Sequence, residues 1–182
     1  MLEGNYYDPW DLVVGLVAEY LDNAAGSGIM STDLSKVTLV STYDFSGDPT
    51  KPGDTAVRIT VKPDEEVGKN RGMSDYSHAI GKGARFWKYH VKVEIRCFYV
   101  RLTKDKEEGR EIASKVSSAV LDCLAELPPQ LHNIKSADGK WSVYMSADPY
   151  IQGGGIKFTD GGPKRPIKSR QDIIVGFILR KY

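Results

Sequence analysis

A chain of 182 residues is one domain of ordinary size, long enough to bury a core without disulfides or metal. With 41% hydrophobic residues, 27% charged residues and a formal net charge of +1, the composition excludes a disordered chain. It also provides no overall field for a nucleic acid or a membrane surface. Cys97 and Cys123 are too few for a disulfide framework and read as reduced core thiols. No apolar run approaches the ~20 residues of a membrane span. The opening MLEGNYYDPW lacks the basic-then-apolar order of a signal peptide, so the expectation is assembly in a cytosol without membrane contact.

The first predicted element is a helix over residues 9–23. Asp8 can cap it, Pro9 suits the first helical position, and Asp11 follows three residues after the cap. Trp10, Val13, Val14, Leu16, Val17, Tyr20 and Leu21 give it an apolar face wider than one core contact requires. Such a helix is either enclosed by its own domain or shared with a neighbouring subunit. Trp10, Val13, Val14, Leu16 and Val17 are therefore candidate subunit-interface residues. AAGSG, from Ala24 to Gly28, ends the helix.

Strand signals follow. VTLVSTY (37–43) and AVRITVK (56–62) both alternate, and the second puts Val57, Ile59 and Val61 on one face. Residues 63–84 hold four glycines and several charges without any period, which predicts a long loop. The strongest strand is FWKYHVKVEIRCFYV (86–100). Trp87, Tyr89, Val91, Val93, Ile95, Cys97 and Tyr99 share one face, predicted to be buried. Lys88, His90, Lys92, Glu94, Arg96 and Phe98 share the other, predicted to be wetted. The preceding strand and the C-terminal one are its candidate neighbours.

Thr103 is placed to cap a second helix, with Glu107 and Glu108 in favourable positions for the helix dipole. Ile112, Val116, Val120 and Leu124, widened by Ala113, Ala119, Cys123 and Leu127, form one apolar stripe that lies on a sheet. Pro128 and Pro129 stop the helix. WSVYMSA (141–147) reads as a strand. Residues 150–171, rich in glycine, read as a second long loop, and DIIVGFILRKY (172–182) as the last strand. The predicted fold is thus a single α+β domain over 1–182. It has a mainly antiparallel sheet, one amphipathic helix packed on it, an N-terminal helix, and two long loops at 63–84 and 150–171.

The sequence offers no candidate catalytic residue, cofactor site or metal site. His78, His90 and His132 do not pair at ligand spacing, and neither cysteine belongs to a CxxC. No GxSxG is present. His90 and Cys97 are an odd number of residues apart on one strand and point to opposite faces. GKNRG (68–72) and GKGAR (81–85) do not complete a phosphate loop, and the second precedes a strand rather than a helix. Asp64, Glu65 and Glu66 read as a solvated loop. The chain is therefore read as something other than an enzyme.

Charge, however, is unevenly placed. Between Val67 and Lys92 the basic residues Lys69, Arg71, Lys82, Arg85, Lys88 and Lys92 face Asp75 alone. Between Lys157 and Arg170, Lys157, Lys164, Arg165, Lys168 and Arg170 face Asp160 alone. The rest of the chain is acidic. The basic stretches fit three readings: solvated loops, docking onto an acidic patch of an identical neighbour, or contact with nucleic acid. Lys69, Arg71, Lys82, Arg85, Lys164, Arg165, Lys168 and Arg170 are the candidate docking or nucleic-acid-facing residues.

KYHVKVEIRCFYVRLTKDKEEGREIASKVSSAVLDCLAEL (88–127), together with the closing strand DIIVGFILRKY, resembles the tail-terminator and neck proteins of long-tailed bacteriophages. There a strand leads through a charged turn into an amphipathic helix, and the order of elements agrees over most of the chain. The resemblance implies a structural virion protein, assembled in the host cytoplasm as a ring of six. Such a ring terminates the tail tube and joins it to the head connector or head-completion protein, with possible passage of viral DNA. It implies no cofactor and no catalytic residue. In that family the first helix and the long loops tend to make the contacts between subunits. The alternative is a nucleic-acid-binding module using the basic loops. Phe98 is the sole aromatic assigned to the wetted face of its strand, whereas RNA-binding sheets usually expose two or three, which weighs against it.

Overall fold

A computed structural model describes residues 6–26, 37–39, 55–64, 85–100, 110–127, 133–160 and 167–182. Its elements, in chain order, are α1 (Pro9–Gly26), β1 (Val37–Leu39), β2 (Thr55–Pro63), β3 (Arg85–Tyr99), α2 (Arg110–Ala125), β4 (Trp141–Ser146), β5 (Tyr150–Asp160) and β6 (Ile167–Lys181). The fold is α+β. One six-stranded sheet runs β1-β2-β3-β6-β4, with β5 also paired to β6. Every pairing is antiparallel except β1 with β2.

The long alternation of β3 makes it the sheet's centre. β2 and β6 flank it, as the pattern anticipated, with Ile59 opposite Ile95 and Val175 opposite Val91. Val57, Ile59, Val61, Tyr89, Val91, Val93, Ile95, Cys97, Ile173, Val175, Phe177 and Leu179 all fall on one face and enter one core. α1 packs against β2 and β3, and α2 against β3 and β6. Both helices therefore cover the same face. From α2, Ala113, Val116, Val120, Cys123 and Leu124 are buried, as is Leu127 just after it, while Lys115, Ser118 and Asp122 face solvent. Burial pushes the Cys97 thiol up to about 11, so it stays protonated.

α1 begins as its sequence requires: Asp8 Oδ1 accepts the Trp10 N–H at 2.7 Å. Gly15 permits the chain to fold back, because a methyl group there would run into the Tyr6 ring. Trp10 stacks edge-on to Tyr89 at 4.8 Å, and Tyr89 to Trp141 at 6.2 Å, tying α1 to one end of the sheet.

Two sequence expectations need correction. Residues 150–171 are not one long loop, since β5 occupies 150–160 and β6 starts at Ile167. The glycine run that suggested a loop is a bulge within a strand. Gly153, Gly154 and Gly155 have φ of 77°, 80° and 126°, backbone that side chains disfavour. Between Gln152 and Lys157 five steps along β5 are matched by two along β6, from Asp172 to Arg170. The second correction concerns the wetted face of β3: Lys92, Glu94 and Phe98 are buried there, at 6%, 2% and 5% exposure. The cap predicted at Thr103, the loop residues 65–84 and the strand residues 40–43 lie outside the described residues.

Candidate functional site

The sheet face opposite the helices is built in rows, because antiparallel register places alternate residues of neighbouring strands side by side. One row holds Arg58 on β2, Arg96 on β3, Arg170 on β6 and Lys157 on β5, each opposite the next. The row on one side of it contains Phe98, Lys168 and Thr159. The row on the other side contains Thr60, Glu94 and Asp172. Beyond that, Lys62 stands opposite Lys92. The face thus carries basic, acidic and basic bands in succession.

Glu94, 2% exposed, is the hub of the acidic band. Its carboxylate accepts Lys62 Nζ at 3.2 Å and pairs with Arg170 Nη2 at 2.9 Å and with Arg96 Nε. Arg170 also grips Asp172 with both prongs of its guanidinium, Nε to Oδ1 at 3.0 Å and Nη2 to Oδ2 at 2.8 Å. Lys92 Nζ lies 3.5 Å from the fully buried Asp64 and 3.9 Å from Asp172. These pairings explain the burial of Lys92, Glu94 and Asp64: each has an opposite charge beside it.

On the other side of the arginine row, Phe98 lies under two cations. The Arg58 guanidinium is 5.0 Å and Lys168 Nζ 5.2 Å from its ring centre. Above this floor opens a cleft of about 690 Å³, lined by the arginine row with Lys157, Lys168, Phe98, Thr159 and Ser169. No acidic residue lines it among the described residues. A smaller concavity of about 290 Å³ lies at the opposite end, beside Trp10, Trp87 and Trp141.

The sequence-predicted site residues fare unequally. Lys69, Arg71, Lys82, Lys164 and Arg165 lie outside the described residues. Arg85 is the first residue of β3, opposite Lys181. Lys168 and Arg170, expected in a loop, belong to β6 and meet at the cleft. Of the helix residues offered as a subunit interface, Val13, Leu16 and Val17 are buried in the chain's own core at 0%, 1% and 0% exposure. The broad face of α1 is spent on the sheet and on α2. Of the five, Trp10 and Val14 are half-buried at its margin.

Arg58, Arg96 and Lys157 are cleft residues that sequence reasoning did not single out. The alternation of β2 and β3 assigned Arg58 and Arg96 to the polar face, but only the register shows that they are neighbours. Lys157 had no such signal. In a regular strand it would point away from the face that Gln152 shares. The three-residue bulge reverses that parity, sending Lys157 to the charged face and Ile156 towards the core.

The outer boundary of the sheet is a second candidate. β4 and β5 run end to end along the same side of β6. The segment 133–136 covers the outer side of β4 as far as Val143, through Asn133 N–H to Val143 O and Val143 N–H to Ile134 O, both 2.9 Å. Beyond it, no further strand pairs with this edge among the described residues. Tyr144, Met145, Tyr150, Ile151 and Phe158 on the same stretch are exposed.

Among the described residues no group of three His, Cys, Asp or Glu could hold a metal ion. Nor is any helix among them long and apolar enough to cross a membrane. No protein-family model matches this sequence, and no curated protein matches it.

Proposed function

We propose that this chain is a structural subunit of a bacteriophage neck, one copy of a ring that terminates the tail tube and joins it to the head connector. The observation that carries the reading is the β4–β5 edge with its exposed Tyr144, Met145, Tyr150, Ile151 and Phe158. Among the described residues no strand covers this edge beyond Val143, and an uncovered edge bearing large apolar side chains is a liability in a monomer, because it offers a pairing template and apolar surface to another strand. A subunit that meets its own copies through that edge turns the liability into an interface. The order of elements, with a central strand leading to an amphipathic helix and a long C-terminal strand, supports the neck assignment through the resemblance of residues 88–127 and 172–182. The interface proposed here differs from the α1 surface expected from sequence, since most of that surface is core.

Light scattering across protein concentration and salt tests the reading. The expected result is a concentration-driven oligomer, with a hexamer as its end state. Ile151→Lys combined with Tyr144→Lys should shift it to monomer while circular dichroism stays unchanged. A monomer at every concentration, in the presence of tail tube protein as well, would overturn it.

A further inference from the structure

We infer that the cleft on the charged face of the sheet binds consecutive phosphate groups, of a nucleic-acid backbone or of a free polyphosphate. This inference goes beyond the assembly reading and does not rest on it. The first ground is the row Arg58, Arg96, Arg170 and Lys157, four cations directly opposite one another across four strands. Like charges in facing positions of a sheet oppose folding. A sequence that places four in register breaks a local rule, and such breaks concentrate at functional sites. Glu94 and Asp172, in the neighbouring row, pair with Arg96 and Arg170, and neither lines the cleft.

The second ground is shape. With strands about 4.8 Å apart, the row extends roughly 14 Å, long enough to meet several phosphates in line rather than one. Arg58 and Phe98 form a buried floor, while Lys157, Lys168 and Arg170 stand exposed at the rim. The third ground is the donor type. Three of the five cations are arginines, each carrying five N–H donors, of which Asp172 and Glu94 take the Nε and Nη2 of Arg170 and Glu94 the Nε of Arg96. Phe98 is held beneath Arg58 and Lys168 and is not available as a platform for bases. The cleft thus recognises charge and spacing, without reading sequence.

The test uses the full chain and three probes: a fluorescein-labelled single-stranded oligodeoxythymidylate, sodium tripolyphosphate and poly-L-glutamate. The cleft variant is Lys157→Glu with Lys168→Glu, both exposed and both lining the cleft. The control is Lys115→Glu with Lys140→Glu, which changes net charge equally, on α2 and in the turn before β4. Anisotropy should show binding of the oligonucleotide, weakened about tenfold or more by the cleft variant and less than about twofold by the control. The logarithm of affinity should fall against that of salt with a slope of about −3 if four phosphates are engaged. Tripolyphosphate displacing the oligonucleotide at equal phosphate supports the shared chemistry. Tripolyphosphate binding at the cleft without the oligonucleotide assigns the source as free polyphosphate. Equal displacement by poly-L-glutamate would assign the cleft to an acidic protein segment and overturn the inference. Absence of binding by both phosphate probes, or equal loss in the control, would also overturn it.

Discussion

The two faces of the central sheet are made by the same three strands, yet they are held by opposite means. On one face, Val57, Val93, Ile95, Ile173 and Val175 meet both helices and exclude water, a non-directional attraction that tolerates small shifts. On the other, Arg96, Glu94, Arg170 and Asp172 are fixed by pairs of defined geometry. Burying charges recovers little net stability, because the cost of removing them from water offsets most of the mutual attraction. The apolar face therefore makes the fold. The charged face lines up opposite charges across the strands, and among the described residues no carboxylate lines the cleft.

The largest effect should come from breaking the apolar face. Leu16, 1% exposed, sits between α1 and the sheet. Leu16→Asp places an unpaired carboxylate in the core, at an expected cost of about 4 kcal/mol or more. Urea denaturation followed by circular dichroism should show loss of most of the stability. A folded variant with a changed oligomeric state would return α1 to the subunit interface and reverse the assignment made from its burial.

A smaller loss is expected from the charged face. Glu94→Ala removes the carboxylate shared by Lys62, Arg96 and Arg170 and leaves their charges crowded together. Loss of one partner from a buried ionic cluster costs about 3 kcal/mol. Glu94→Ala with Arg96→Met should recover part of that loss, a coupling that a double-mutant cycle measures. Independent, additive effects would show that the bands on this face are not energetically connected.

How much of the molecule was legible in advance follows the same division. The apolar face was readable because a period of two in β3 and a period near four in α2 are each properties of a single segment. The flanking of β3 by β2 and β6 was readable because those strands had matching apolar alternation. The cleft was not readable, because it is a property of register. Arg58 and Arg96 are far apart in sequence, and nothing in either strand states which residue faces which. Lys157 was hidden further, since Gly153, Gly154 and Gly155 resemble a loop and act as a parity switch inside a strand. The misassignment of Val13, Leu16 and Val17 had a related cause: width of an apolar stripe does not reveal whether a second helix of the same chain will cover it.

The smallest effect predicted from the charged face is a dependence on pH through His90. Its ring lies half-buried beside Gly176, with Cδ2 3.5 Å from where a methyl group on that glycine would stand, an ordinary contact distance. Burial lowers the His90 pKa below the ordinary histidine value, Lys88 lowers it further, and Asp64 acts in the opposite direction. The unfolded chain therefore takes up a proton at a higher pH than the folded one. The contribution of His90 to stability is complete above about pH 6.5, the ordinary histidine value, and is lost as pH falls towards the depressed folded value. Thermal unfolding between pH 7.5 and pH 5 should show a falling midpoint, with a shallower fall in His90→Gln. Titration of the His90 ring by NMR supplies the direct check. A pKa at or above the ordinary histidine value would mean that the Asp64 carboxylate, not burial, governs this end of the sheet, and that the charged face is wetter there than its packing indicates.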